Sequence, residues 1–206
     1  MNQGFSVNAP TFVDVGGKGT IDLQKLKVRD GLGSECEQIQ VLGTDGIVTG
    51  EIYSWLTEDD IGEEGWYDGS WNPITGVTVQ KGAGYIFACV SGAKLESSGE
   101  VIAGETRIPL AAGFTVAGNN TNVDFDLQEF KIENGLGSEC EQIQVLGTDG
   151  IVTGEIYSWL TEDDIGVAGW YDGSWNPISE VTIKAGQAHI FACVAGATLV
   201  IPSQLD

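Results

Sequence analysis

Residues 38–56 read QIQVLGTDGIVTGEIYSWL. The first five alternate polar and apolar side chains, the period-two pattern of a strand with one buried face. Residues 47–56 are rich in β-branched and aromatic side chains, which suit a pleated surface. Between them, Asp45-Gly46 is a strong turn dipeptide, because both residues tolerate positive φ. This stretch predicts strand, turn, strand. Further on, VTVQ at 77–80 and YIFACV at 85–90 flank a turn-like KGAG and read as a second hairpin. Upstream, IDLQKLKV at 21–28 fits either a strand or one short helical turn. The best helical candidate is WLTEDDI at 55–61. There Thr57 would cap a short turn with Glu58, Asp59 and Asp60 at its start, where carboxylates suit the helix dipole. Frequent turn signals without a long helical period point to an all-β fold of sandwich type, Ig-like or jelly-roll-like.

The same stretch occurs twice. Residues 31–62 recur letter for letter at 135–166, and GWYDGSWNPI at 65–74 recurs at 169–178, both at an offset of 104 residues. The 206-residue chain is therefore expected to hold two tandem β-sandwich domains, 1–104 and 105–206, joined near SSGEVIAGET at 97–106. At the same offset, residues 5–30 match 109–134 at only five positions: Thr11, Asp22, Leu23, Gln24 and Lys27. The front of the unit therefore reads as divergent. Its apolar stretch at 5–15 reads as an edge strand able to pair with another sheet.

Thirty acids against nine bases give a formal charge of −21. Such a surface repels phosphate backbones and anionic lipid, so nucleic acid is an unsuitable partner. No apolar run is long enough to cross a bilayer as a helix, so membrane insertion is not expected. The N-terminus, MNQGFSVNAP, has no basic region followed by an apolar one, and so shows no signal peptide. The cysteines argue for export all the same. Cys36 and Cys89 recur as Cys140 and Cys193, without CxxC spacing or a nearby histidine. The repeat favours one disulfide per domain, Cys36–Cys89 and Cys140–Cys193, with buried free thiols as the alternative. Bridges would place the protein outside the cell or on its surface.

Catalytic signatures are absent: no P-loop, HExxH or GxSxG pattern occurs. His189 is the sole histidine and stands where the first copy has Tyr85, so it reads as a strand aromatic. No cofactor is expected. The acidic set Glu58, Asp59, Asp60 and Asp68, repeated as Glu162, Asp163, Asp164 and Asp172, reads first as a solvated helix start. Its second reading is a cation site, with Ca²⁺ the fitting ion. Acid–base catalysis by Asp60 and Asp68 or their copies is a distant third. All six tryptophans lie in the duplicated blocks. Trp66, Tyr67 and Trp71, with Trp170, Tyr171 and Trp175, surround a tight turn at Asp68-Gly69 and its copy. They read as core, or as an aromatic surface for a ligand or interface. Asn119-Asn120-Thr121 matches the N-glycosylation triplet.

The phrases QVLGTDG, WLTEDD and GWYD, with GEVIAG at 99–104, resemble tandem all-β repeat modules of uncharacterised bacterial secreted or surface proteins. The resemblance implies an extracellular, repetitive, non-catalytic role. The expected function is thus a structural, self-assembling β-repeat: a surface filament, layer or adhesin-like module. Its partners would be copies of itself or neighbouring repeats. The alternative is a carbohydrate-binding module that grips glycan with the duplicated Trp/Tyr/Asp turns, with or without Ca²⁺.

Overall fold

The computed structural model describes residues 4–8, 12–13, 20–42, 48–80, 85–89, 93–96, 100–101, 104–146 and 152–203. The first unit holds strands β1 (Gly4–Asn8), β2 (Phe12–Val13), β3 (Thr20–Asp22), β4 (Lys27–Arg29) and β5 (Glu37–Leu42). It continues with β6 (Val48–Leu56), a helical turn α1 (Glu58–Ile61), β7 (Gly65–Tyr67), β8 (Thr78–Gln80), β9 (Tyr85–Cys89) and β10 (Lys94–Glu96). A short β11 (Glu100–Val101) leads out of it. The second unit starts with β12 (Thr106–Leu110), β13 (Gly113–Gly118), β14 (Phe125–Asp126), β15 (Lys131–Glu133) and β16 (Glu141–Leu146). Then come β17 (Val152–Leu160), α2 (Glu162–Ile165), β18 (Gly169–Tyr171), β19 (Thr182–Ile183), β20 (Ala188–Cys193) and β21 (Ala197–Ile201).

The all-β expectation holds. Each unit is built on an antiparallel five-stranded sheet, in order β1-β9-β5-β6-β7 in the first and β13-β20-β16-β17-β18 in the second. Short ladders face each sheet: β4 with β10 and β3 with β8 in one unit, β12-β21-β15 and β14 with β19 in the other. Among the described residues no ladder joins one unit to the other, and each has its own core. In the first, Ile21, Val28 and Val79 from the short ladders meet Ile39, Trp55, Trp66 and Phe87 from the large sheet. Trp55 and Trp66 pack edge to face at 5.5 Å, a geometry the ring quadrupole favours. The indole N–H of Trp66 donates to the Leu26 carbonyl at 2.7 Å, so burying this ring leaves no unpaired donor.

Two expectations need correction. Segments 77–80 and 85–90 do not pair with each other: β8 joins β3, while β9 lies between β1 and β5. Strands β8 and β9 thus lie in different layers of the sandwich. The intervening residues 81–84, like Asp45-Gly46, lie outside the described residues.

The front of the unit is also less divergent than it reads. Gly4 pairs with Cys89 and Gly113 pairs with Cys193, so β1 and β13 are equivalent at an offset of 109, not 104. GFSVN then stands against GFTVA, and the difference is one of length. Eleven residues separate Asn8 from Thr20, where six separate the equivalent Ala117 from Asp124. The longer connection supplies β2, which pairs with β11. Of the stretch 5–15 expected as one edge strand, the part in β1 lies at a sheet edge while Phe12–Val13 belongs to the separate ladder with β11; IDLQKLKV is both alternatives at once: strand, 3-10 turn at Leu23–Lys25, strand.

Candidate interaction site

The acidic step folds locally. Thr57 precedes α1 with extended backbone, and its N–H donates to the Asp60 carboxylate at 2.8 Å. The same carboxylate accepts from the Thr57 hydroxyl and from the Ser34 N–H and hydroxyl. These donors, the Ser34 hydroxyl foremost, hold the Asp60 carboxyl well below the usual carboxylate range. Asp164 repeats every one of these bonds. Asp60 thus ties the loop at 31–36 to the helical turn. A Cβ on Gly33, which has φ +69°, would lie 2.4 Å from that carboxylate, so glycine is required there.

Asp68 braces a different loop. It accepts from the N–H groups of Ser70 and Asn72, and the Asn72 backbone bond is the main cause of its lowered pKa. Glu58 and Asp59 stay exposed in the first turn of α1. Among the described residues, no group of three or more His, Cys, Asp or Glu side chains converges on a point that would hold a metal. Asp60 and Asp68 are committed to separate loops, each carboxylate held by its own set of donors. Their copies Glu162, Asp163, Asp164 and Asp172 repeat the arrangement.

The aromatic turn divides into core and surface. Trp66 and Trp170 are wholly buried, and Tyr67 and Tyr171 are buried all but 6%. Trp71 and Trp175 are each 49% exposed. Both also hold left-handed backbone, φ 62° and 64°, a conformation a bulky residue adopts only where its surroundings enforce it. The enforcing group is the Asp68 or Asp172 carboxylate, which clamps the residues on either side. Each unit therefore presents one tryptophan on a rigid, side-chain-braced loop.

No disulfide is formed by Cys36, Cys89, Cys140 or Cys193, so the expected Cys36–Cys89 and Cys140–Cys193 bridges are absent from this structure. Glu37, not Cys36, stands opposite Cys89, and Glu141 stands opposite Cys193. Alternation therefore gives the face shared with the buried thiol to the glutamate. Burial pushes the Cys193 thiol up to about 11, which keeps it protonated and unreactive.

Those glutamates carry no visible signal in the sequence. Glu37 is fully buried, and its carboxylate accepts from the N–H groups of Leu32 and Gly33 at 3.0 Å each. Glu141 does the same for Leu136 and Gly137. Gln24 is similar: its amide donates to the Trp66 and Ile74 carbonyls and accepts from the Trp66 N–H. His189 is buried in the second unit, where its Nδ1 accepts from the Leu146 N–H and burial lowers its pKa to about 4. The glycosylation triplet is buried as well, with the Asn119 amide donating to Val123 and Ile183 carbonyls.

One cleft of about 310 Å³ opens in the first unit, with Lys27, Glu63, Glu64 and Tyr67 among its lining. Lys27 pairs with Glu64 at 3.4 Å. Within residues 31–74 the only differences from 135–178 are Glu63-Glu64, replaced by Val167-Ala168. The rim thus changes from acidic to apolar between units, and a property common to both does not reside there. The exposed residues that both units share include large apolar ones, Leu32 (60% exposed) with Leu136 (58%), Ile52 with Ile156, Ile61 with Ile165, and Trp71 with Trp175, beside matched carboxylates such as Glu58 and Asp59 with Glu162 and Asp163. No family model, no curated protein and no solved structure matches this chain.

Proposed function

We propose that this chain is a non-catalytic, self-assembling β-repeat protein whose two units offer the same apolar surface to neighbouring copies. The observation that carries the reading is the matched set of exposed apolar side chains, Leu32, Ile52, Ile61 and Trp71, recurring at Leu136, Ile156, Ile165 and Trp175. An isolated domain would gain solubility by exchanging these for polar residues, since exposed apolar side chains are the part of a surface that favours association. The acidic remainder of the surface, at net −21, favours contact only where charge is missing. The reading does not depend on compartment, because it requires no disulfide.

Light scattering and electron microscopy on the purified chain test it. Species larger than the monomer, growing with concentration, are expected. A monomer at every concentration would refute it. A second reading, glycan binding, draws support from the rigid Trp71 and Trp175 loops, since a fixed exposed indole suits the apolar face of a sugar ring. Binding on a glycan array, lost in Trp71→Ala/Trp175→Ala, is its expected outcome.

A further inference from the structure

His189 is wholly buried, and it stands where a ladder ends. Strands β16 and β20 pair from Glu141 opposite Cys193 as far as Gln144 opposite Ile190. The same register would next set Leu146 against Ala188, and the ladder stops short of that pair. Against β17 the strand is irregular at the same point, with a register shift between Gln144 and Leu146. The backbone of Leu146 is held instead by the two side chains that flank Ala188. Its N–H donates to Nδ1 of His189 at 3.0 Å, and its carbonyl accepts from the Gln187 amide at 2.7 Å. Side chains thus stand in for the last rung of the sheet.

The bond to Leu146 fixes the state of the ring. Nδ1 accepts only in a neutral imidazole, so the proton sits on Nε2, which has no partner among the described residues. A second proton would turn Nδ1 into a donor facing the Leu146 N–H, and would leave a buried cation. No neighbouring strand offers that cation a counter-charge. Strands β13 and β21 carry no titratable side chain, nor does β1 of the first unit, which approaches β20. Strand β16 carries only Glu141, opposite Cys193 at the far end of the ladder. Around the opposing layer Arg107, Asp124, Lys131, Glu133 and Lys184 are exposed, and Asp126 is half-buried. Burial alone lowers the pKa of His189 to about 4.

The first unit is built differently here. Asn8 stands opposite Tyr85 where Ala117 stands opposite His189, so the two side chains are equivalent. The Tyr85 hydroxyl accepts from the Gln80 N–H at 2.7 Å, which fastens β8 of the other layer. A tyrosine does not titrate in the range where histidine does.

We propose that His189 is an acid-operated latch, peculiar to the second unit: protonation of its ring releases the Leu146 backbone from β20 while the rest of the sheet stays paired. The ring takes one proton from solvent at Nδ1, the bond from the Leu146 N–H breaks, and that N–H turns to water. The closed form is complete above the ordinary histidine pKa of 6.5, and opening grows as pH falls from there towards 4. The latch is independent of the assembly reading, because every bond in it lies within one unit.

The test is nuclear magnetic resonance of the full chain between pH 7 and pH 4. Amide exchange is read as protection relative to an unstructured peptide at the same pH, and the His189 ring is followed in the same samples. At pH 7 the ring should be neutral with its proton on Nε2. By pH 4 the Leu146 amide should lose protection on the order of 100-fold, while Ile143 and Phe191 keep theirs and Leu42 of the first unit shows no such step. His189→Asn supplies an acceptor that does not titrate and should abolish the step; if that variant fails to fold, the wild-type profile decides alone. Leu146 protection that ignores pH, or a ring with its proton on Nδ1, would overturn the latch. Loss at Ile143 and Phe191 together with Leu146 would overturn it too, since the unit would then be unfolding as a whole.

Discussion

Trp66 and Trp71 are five positions apart and have opposite roles. Trp66 is wholly buried with its indole N–H satisfied, so Trp66→Ala should cost about 3–5 kcal/mol of unfolding free energy. Trp71 sits in left-handed backbone, which costs a non-glycine residue roughly 1–2 kcal/mol. Trp71→Gly relieves that cost as it removes half-buried ring surface, so denaturant midpoints should barely move. A large loss would mean that the ring is held for stability alone. The buried carboxylates are tested in the same way. Glu37→Gln presents an amide NH₂ to two backbone N–H donors, and should cost about 1–3 kcal/mol. The sequence hides this role because an isolated Glu reads as surface. It also alters what the identity of the repeat means, since Glu37 and Thr57 are kept by bonds inside their own unit.

Among the elements, strand identity was legible and partnership was not. Alternation and β-branching mark residues 38–42 and 47–56, and β5 and β6 follow them closely. The capped turn at Thr57 was legible too, because capping chemistry is local. Whether two successive strands pair or cross between layers is decided by the whole core, and turn residues carry no record of it. The equivalence of β1 and β13 was hidden by a five-residue change in the connection that follows. Equivalent strands also differ in one titratable group. His189 of β20 replaces Tyr85 of β9 and is buried with a pKa near 4, below the ordinary value of 6.5. The unfolded chain then binds the proton more readily than the folded one between those values. Stability of the second unit should therefore be complete above pH 6.5 and fall as pH drops towards 4, by roughly 3 kcal/mol at most. His189→Tyr should flatten that dependence in denaturant titrations, and an unchanged slope would contradict the buried neutral imidazole.

For the molecule as a whole, two separately cored units carry the same exposed apolar side chains on a strongly acidic body. Thiol titration of the denatured, unreduced chain should return all four cysteines, and recovery of none would restore the disulfide reading. The account stands or falls on the balance between apolar attraction and charge repulsion among copies. Salt separates these forces, because it screens the −21 charge and leaves apolar burial intact. The decisive measurement is sedimentation equilibrium of the wild-type chain across concentration at low and high salt. The account predicts a reversible association that tightens as salt is raised. A single monomeric species at every concentration and salt, or an association that salt dissolves, would contradict it.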